Sequence, residues 1–276
     1  MINKILTVFI TLILISCNSK ISDDSSNLVT ENQFVNNPDS IASCSPRVLK
    51  RNTENGLISL TNGQIEELSK KIKTLNPDLP TIGVLMYDDV LTTELTAPID
   101  VFTKLTENGK QLFNVITIAE SYDFIVSEEG LKMFPDYILT NTPKLDILIV
   151  PSAYDMTLQV KNKNLVDFIK SQNNNTKYTV SNCAGASLIG ESGIANGKKI
   201  VTWIGGGEDL QKNYPLLKVQ DDKNVSYMED GKFLSSNGNL ASYISSLELL
   251  EKLSNKKHRK FVESYLYLDR LQNWKN

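Results

Sequence analysis

Cys183 is the residue of this chain best suited to chemistry. It follows a short β-prone run, Tyr178–Val180, and a polar pair, and it precedes small residues that begin a helical pattern, Ala184-Gly185-Ala186. Small residues after a strand allow the tight strand-to-helix turn called a nucleophile elbow. At a helix N-terminus the dipole and free backbone N–H groups favour thiolate over thiol. We therefore predict a reactive Cys183 with a lowered pKa. The alternative is a buried, inert cysteine that packs as a small hydrophobic residue.

The elements that must position Cys183 alternate between strands and helices. Apolar runs predict strands at 82–86, 113–119, 147–150, 178–181 and 199–202, with hairpins at 122–133 and 225–235. Apolar residues at helical spacing predict helices at 93–108, 164–172 and 239–253. This alternation predicts an α/β fold with a doubly covered, mostly parallel sheet. Sites in such sheets lie beyond the carboxyl ends of the strands. Asp88, Ser152 and Cys183 each follow such an end.

The first residues predict export and lipid attachment. The apolar run Ile5–Ile15 follows a positive charge and is too short to span a bilayer, which is typical of a signal-peptide core. Leu14-Ile15-Ser16-Cys17 looks like a bacterial lipobox, which implies cleavage before Cys17 and attachment of fatty-acyl chains such as palmitate. Each buried CH₂ contributes about 0.8 kcal/mol, so several chains make a lasting membrane anchor. We expect a lipoprotein of the bacterial cell envelope. The alternative is an ordinary secretory signal with an incidental cysteine.

Composition divides the chain into four parts. We expect a signal peptide at 1–16, a lipid-anchored tether with a short helix at 17–79, the α/β domain at 80–254, and an amphipathic helix at 255–276. The tether begins with a segment rich in Ser, Asn and Asp that cannot bury enough surface to fold. Its short helix is predicted within 62–75, and the C-terminal helix has Phe261, Tyr265, Leu268 and Leu271 on one face.

Charge and motif content exclude several partners. The net charge of −3 offers no basic surface for nucleic acid. After lipidation of Cys17, only Cys44 in the tether and Cys183 remain as thiols, so we expect no structural disulfide. Gly205-Gly-Gly207 lacks the Lys and Ser/Thr of a phosphate-binding P-loop, and we expect a flexible loop at the rim of a pocket. We expect neither a cofactor nor a metal ion.

Several segments, in order, resemble the ThiJ/PfpI superfamily, which has a class I glutamine amidotransferase-like fold. They are Glu94-Leu-Thr-Ala-Pro98-Ile-Asp-Val-Phe102, Glu129-Gly-Leu-Lys-Met-Phe-Pro135-Asp136, Asp146-Ile-Leu-Ile-Val-Pro151, Cys183-Ala-Gly185 with Leu188 and Gly193, and Ser235-Ser-Asn-Gly238. Each segment alone is weak evidence, but their shared order is specific. The resemblance implies that fold for residues 81–253, and it implies a homodimer, because relatives often dimerise.

The resemblance also implies roles for particular residues. Cys183 takes the nucleophile position, and Glu94 takes that of the acidic residue that hydrogen-bonds the thiol. In a buried site we expect Glu94 to stay protonated and to donate to the sulfur. The alternative is a helix N-terminal acid that the dipole stabilises. Ser152, Ala153, Ala184 and Trp203 are expected to contact the substrate, and Tyr154 is a second candidate for the pocket wall.

Departures from the family pattern limit the chemistry. Many members carry His beside the cysteine or in the strand after the elbow helix, where this chain has Ala184 and Trp203. The single histidine, His258, lies in a basic run and is expected to be a solvated surface residue. We therefore expect neither a Cys–His dyad nor a glutaminase triad. Ser152-Ala153 replaces the family's Gly-Gly, so backbone N–H groups are still available for an oxyanion hole, without the tight glycine turn.

Two kinds of function remain open. As an enzyme, Cys183 would add to an electrophilic carbon of a small molecule while Glu94 carries the proton. The family's isonitrile hydratases, which use a Cys and an acidic residue without requiring His, make this the first choice; glyoxalase-like chemistry is the second. As a non-enzymatic lipoprotein, the chain would bind a ligand or sense oxidants through a sulfenic or sulfinic acid. Some relatives precede a DNA-binding helix-turn-helix, but the tail here predicts one helix, so DNA binding is not expected.

Overall fold

The computed structural model describes residues 63, 67 and 73–270, and strands alternate with helices through most of that range. In chain order the strands are β1 (Thr81–Leu85), β2 (Asn114–Ala119), β3 (Ile125–Val126), β4 (Lys132–Met133), β5 (Tyr137–Ile138), β6 (Ile147–Val150), β7 (Tyr178–Asn182), β8 (Lys199–Ile200), β9 (Lys218–Val219), β10 (Tyr227–Asp230) and β11 (Phe233–Ser236). The helices are α1 (Thr92–Phe102), α2 (Thr157–Lys161), α3 (Lys163–Asn173), α4 (Ala186–Ser192), α5 (Gly207–Asn213), α6 (Ala241–Leu253) and α7 (Lys256–Tyr265), with 3₁₀ turns at Cys183–Gly185 and Leu268–Arg270.

A seven-stranded sheet in the order β10-β11-β7-β6-β1-β2-β5 lies at the centre of the described residues. Its neighbours pair in parallel, except for the antiparallel hairpin of β10 and β11. The α/β fold with a mostly parallel sheet is therefore confirmed. Parallel order brings the carboxyl ends of β1, β6, β7 and β11 to one edge, where the candidate site lies.

Two apolar layers cover the sheet, one on each face. Successive residues of β6 point to opposite faces: Ile147 and Ile149 pack with α1, α6 and α7, while Leu148 and Val150 pack with α3, α4 and α5. Every residue of β1 and β6 is buried. Burial on both faces explains why these strands are continuous apolar runs rather than alternating ones.

The strand predicted at 199–202 is wrong in its extent and in its sheet. β8 ends at Ile200 and pairs with β9 in a separate two-stranded sheet. Two backbone N–H groups of the predicted segment donate to side chains of the β10–β11 hairpin: Lys199 donates to Asp230 at 3.0 Å, and Val201 donates to Ser235 at 2.9 Å. The side chains of Asp230 and Ser235 thus accept the hydrogen bonds that a neighbouring strand would otherwise accept.

The helix predicted at 93–108 ends early, at Phe102. The chain then turns, with the N–H groups of Gly109 and Lys110 both donating to Thr106. The C-terminal helix also ends early, at Tyr265, because Tyr267 takes a left-handed backbone conformation with φ of 58°. Left-handed conformations cannot continue a right-handed helix.

His258 is buried, so its prediction as a solvated surface residue is wrong. It is 6% exposed and stacks on Phe261 within α7, which packs against α6. Burial lowers its pKa, and Nε2 has no hydrogen-bond partner among the described residues. Asn255 caps α7 by accepting from the His258 backbone N–H at 3.0 Å.

Several predictions fall on residues outside the described ranges. The signal peptide, Cys17, Cys44 and most of the tether lie there. Within 62–75, Gly63 and Glu67 are helical, while residues 73–75 are not. Within the described ranges, every helix is too short or too polar to cross a membrane.

Candidate active site

Cys183 occupies a strained turn between β7 and α4. Its φ is 51°, a left-handed value that a residue with a side chain rarely adopts, and it begins the 3₁₀ turn before α4. Gly185 lets this turn approach the end of β6, since a Cβ there would lie 2.5 Å from the Val150 carbonyl oxygen and 2.6 Å from that of Pro151. These features are those of the predicted nucleophile elbow. The thiol is free, and the residue is 8% exposed.

Glu94 reaches the same place from the first turn of α1. The residue is 0% exposed, which is unusual for a carboxyl group. One carboxyl oxygen, Oε2, accepts from the Ser152 N–H at 2.8 Å, and the other, Oε1, accepts from the Asn239 N–H at 3.1 Å. The Glu94 side chain also lies close enough to the Cys183 thiol for each group to shift the pKa of the other. Glu94 thus connects the loop after β6, the loop after β11 and the elbow.

Gly238 closes the gap between these two residues, and sequence reasoning gave it no role. Its φ is 83°, and a Cβ there would lie 2.2 Å from Glu94 Oε1 and 2.3 Å from Cys183 Cβ. A side chain at position 238 would therefore displace one partner or the other. Its place in the segment Ser235-Ser-Asn-Gly238 was the signal that could have revealed it.

Burial controls the electrostatics of the pair. It raises the pKa of Glu94 from 4.5 to about 7, against the opposing hydrogen bonds from the Asn239 and Ser152 N–H groups. Burial and then the negative charge of Glu94 raise the pKa of the Cys183 thiol from 9.0 to about 12. The Ser152 hydroxyl and the Ala184 N–H lower the pKa of that thiol, but they are outweighed.

The prediction of a lowered Cys183 pKa is therefore wrong. The α-helix proper begins at Ala186, so Cys183 lies a 3₁₀ turn away from its dipole. Both the desolvation and the neighbouring carboxylate favour the neutral thiol. At neutral pH these pKa values give a protonated thiol beside a carboxyl group that is close to its own titration midpoint.

Tyr87, which follows β1, is a further residue of this site that sequence reasoning missed. Its hydroxyl donates to the Pro151 carbonyl and lies 3.9 Å from Met156 Sδ. Burial, followed by the charges of Glu94 and Cys183, raises the pKa of Tyr87 well above its usual range. The phenol is therefore neutral, and it fixes the backbone just before Ser152.

The expected oxyanion hole of Ser152 and Ala153 is not available. The Ser152 N–H is bonded to Glu94, and the Ala153 N–H donates to Met156 Sδ at 3.2 Å. The Ser152 hydroxyl, in contrast, is fully buried and has no hydrogen-bond partner among the described residues. The loop thus offers a side-chain donor where backbone donors were expected.

The glycine run after Trp203 makes defined contacts, and the flexibility of this loop stays a prediction. A Cβ on Gly206 would lie 2.0 Å from the indole ring of Trp203, which packs on the core. The Gly207 N–H donates to Asp222 at 2.6 Å, where it begins α5. An internal carboxylate therefore occupies the position that a phosphate would need.

The structure brings Cys183, Glu94, Ser152, Ala153 and Ala184 together at one end of the sheet. Trp203 belongs to the next segment, where its neighbour Thr202 donates to the Cys183 carbonyl at 2.9 Å. Tyr154 is 50% exposed. Contact of Trp203 or Tyr154 with a substrate stays a prediction. Among the described residues, no group of His, Cys, Asp or Glu side chains is arranged to hold a metal ion.

Comparison with known proteins agrees with this architecture. An isonitrile hydratase from Pseudomonas putida is 27% identical over 173 residues, which cover 62% of this chain and 71% of that protein. A THiJ/PfpI family protein from Pseudomonas syringae has a similar structure, with a TM-score of 0.62 and 19% identity over 71% of this chain and 81% of that one. Drosophila melanogaster DJ-1beta has a TM-score of 0.59 and 18% identity over 68% of this chain and 98% of its own. The model of the DJ-1/PfpI family matches residues 80–252, and the chain therefore belongs to that family.

Proposed function

We propose that this chain is an enzyme in which Cys183 and Glu94 add water to a small electrophilic molecule, with an isonitrile as the first choice of substrate. The observation that carries the proposal is the pair itself: a free thiol on a strained elbow, beside a fully buried carboxyl group. Buried carboxyl groups with a pKa near the working pH are suited to moving protons. The isonitrile hydratase among the relatives supports this choice of substrate.

The geometry supports a balanced sequence of steps. In the first, the Cys183 sulfur bonds to the terminal carbon of R–N≡C. Glu94 takes the thiol proton and delivers it to the same carbon, giving R–N=CH–S–Cys183. In the second, water adds its oxygen to that carbon and a proton to nitrogen. The C–S bond then breaks, the proton returns to sulfur, and R–NH–CHO leaves.

The raised thiol pKa favours this chemistry over oxidant sensing. Oxidation to a sulfenic acid proceeds through the thiolate and follows thiol exposure, whereas burial and the Glu94 charge keep Cys183 protonated. Addition of S–H across one carbon begins from the protonated thiol and consumes its proton. The pair therefore matches proton-coupled addition better than redox sensing.

The place of action is part of the proposal. The lipobox-like segment that ends at Cys17 supports a lipid-anchored protein of the bacterial envelope. The enzyme would then act on small molecules outside the cytoplasm, tethered to a membrane by the segment that precedes residue 80.

Turnover by the purified chain tests the proposal. We would incubate it with cyclohexyl isonitrile and follow the N-formamide by NMR, with methylglyoxal in a parallel arm. We expect formamide from the wild type and none from Cys183→Ser. Conversion of methylglyoxal alone would move the assignment to glyoxalase-like chemistry. If neither compound were converted, a ligand-binding role would replace the enzyme.

A further inference from the structure

Ser152 carries a buried hydroxyl with no hydrogen-bond partner among the described residues. The residue is 0% exposed, and Oγ is unpaired. Its backbone, in contrast, is held on both sides: its N–H donates to Glu94 at 2.8 Å, and its carbonyl accepts from Leu91 at 2.8 Å. A buried polar group without a partner costs about 1–3 kcal/mol. Such a group in a native structure calls for an explanation, and a catalytic role is one of the recognised ones.

The hydroxyl lies close to both members of the proposed catalytic pair. Ser152 follows β6 directly, and the elbow packs on the carbonyls of Val150 and Pro151 through Gly185. The hydroxyl lowers the pKa of both Glu94 and Cys183, so it is within reach of the carboxyl oxygens and of the sulfur. It has no hydrogen-bond partner among the described residues, and rotation of the side chain can turn it toward the sulfur.

We propose that the Ser152 hydroxyl, unpaired while the thiol is protonated, is a hydrogen-bond donor that turns toward the Cys183 sulfur when the thiol proton moves to the Glu94 carboxylate. The inference rests on the proposed function, because the negative charge changes place only if the pair reacts. Before proton transfer the charge is on Glu94, whose oxygens accept from the backbone N–H groups of Ser152 and Asn239, and the Ser152 O–H has no partner among the described residues. Afterwards Glu94 is neutral, the charge is on Sγ, and the same O–H donates to sulfur. No bond within Ser152 breaks.

This role explains why a polar residue occupies a position where the family pattern has glycine. A glycine has no hydroxyl, and the backbone N–H groups of Ser152 and Ala153 are already engaged. The side chain thus supplies the donor that the backbone cannot. Cys183, Glu94 and Ser152 form a three-membered polar group without histidine.

Alkylation of Cys183 in the full chain tests the inference without any substrate. We would measure iodoacetamide labelling of the Cys183 peptide by mass spectrometry across pH in the wild type, Ser152→Ala and Ser152→Thr. A hydrogen bond to a charged group contributes enough that its loss in Ser152→Ala should slow labelling at pH 8 by about tenfold. Ser152→Thr keeps the hydroxyl and should stay within about twofold of the wild type.

Ser242→Ala is the matched control, since Ser242 is also fully buried with an unpaired Oγ but lies in α6. It should leave labelling unchanged. Both alanine variants remove an unpaired hydroxyl, so neither should lower the melting temperature. If Ser152→Ala failed to fold, Ser152→Gly would carry the same test. The inference would be overturned if Cys183 were labelled at the same rate in the wild type and in Ser152→Ala. It would also be overturned if Ser152→Ala and Ser152→Thr slowed labelling equally. Absence of isonitrile turnover would instead overturn the proposed function, because labelling needs no substrate.

Discussion

Replacing Glu94 by glutamine should lower the pKa of Cys183, because the variant removes the negative charge beside the thiol. A Cβ on Gly238 would lie 2.2 Å from Glu94 Oε1 and 2.3 Å from Cys183 Cβ, so those two atoms are at most 4.5 Å apart. Two unit charges 4 Å apart interact by about 4 kcal/mol at an effective dielectric constant of ~20. That energy corresponds to about 3 pKa units and sets the scale of the effect.

The expected shift of the Cys183 pKa is smaller than these ~3 units. Burial is the larger of the two causes that raise the pKa of Cys183 from 9.0 to about 12. We therefore expect Glu94→Gln to lower it by about 1–2 units, since the carboxylate accounts for the lesser part. Burial remains in the variant, so the pKa should not fall below that of an ordinary thiol.

The assay is the pH dependence of Cys183 alkylation, followed on its peptide by mass spectrometry. In the wild type the rate should still be rising tenfold per pH unit at pH 11, because the pKa is about 12. In Glu94→Gln the rate should begin to level off below pH 11. Glu129→Gln is a suitable control, since Glu129 accepts from the Thr92 N–H of the same helix at 3.0 Å but touches neither the thiol nor the elbow. An unchanged or raised Cys183 pKa in Glu94→Gln would refute the reasoning and favour a protonated Glu94 that donates to a thiolate.

Three further predictions follow from the same geometry and from the sequence. Gly238→Ala should both destabilise the fold and change Cys183 labelling, whereas Gly130→Ala, with a similar φ of 86° and nothing within 4 Å, should lower stability alone; thermal melts and labelling rates would separate the two. The pKa of Glu94 is raised from 4.5 to about 7, so the contribution of protonated Glu94 to stability is complete below pH 4.5 and is lost as the pH rises through 7. Relative to the wild type, the unfolding free energy of Glu94→Gln should therefore increase by about 3 kcal/mol between pH 4.5 and pH 8, as measured by urea titration. Cys17→Ser should release the protein from membranes or block its processing, and normal maturation with membrane retention in fractionation would contradict the lipobox.

The central strands were predictable because an almost entirely apolar composition indicates a strand that is buried on both faces. Residues 147–150 form a continuous apolar run, and such runs have few alternatives to a strand covered on both faces. The pairing of Cys183 with Glu94 was a different case, since the residues alone favoured an ordinary acid in the first turn of α1. The resemblance to known relatives supplied that pairing, and the buried carboxyl in the structure agrees with it.

What sequence reasoning missed depends on contacts between distant segments. Gly238 matters because its left-handed backbone and its lack of a side chain let it lie against Glu94 and Cys183. The sequence around Gly238 does not indicate that these distant residues lie so close to it. The raised Cys183 pKa depends on burial, which the elbow motif does not specify. His258 looked solvated within its basic run, yet positions 258 and 262 share one face of α7, and that face is buried.

Turnover of an alkyl isonitrile by the wild type and by Cys183→Ser is the most direct test of the account. We predict that the wild type forms the N-formamide, that Cys183→Ser forms none above the uncatalysed rate, and that both have the same melting profile. Undiminished formation of the N-formamide by a folded Cys183→Ser would contradict the assignment of Cys183 as the nucleophile.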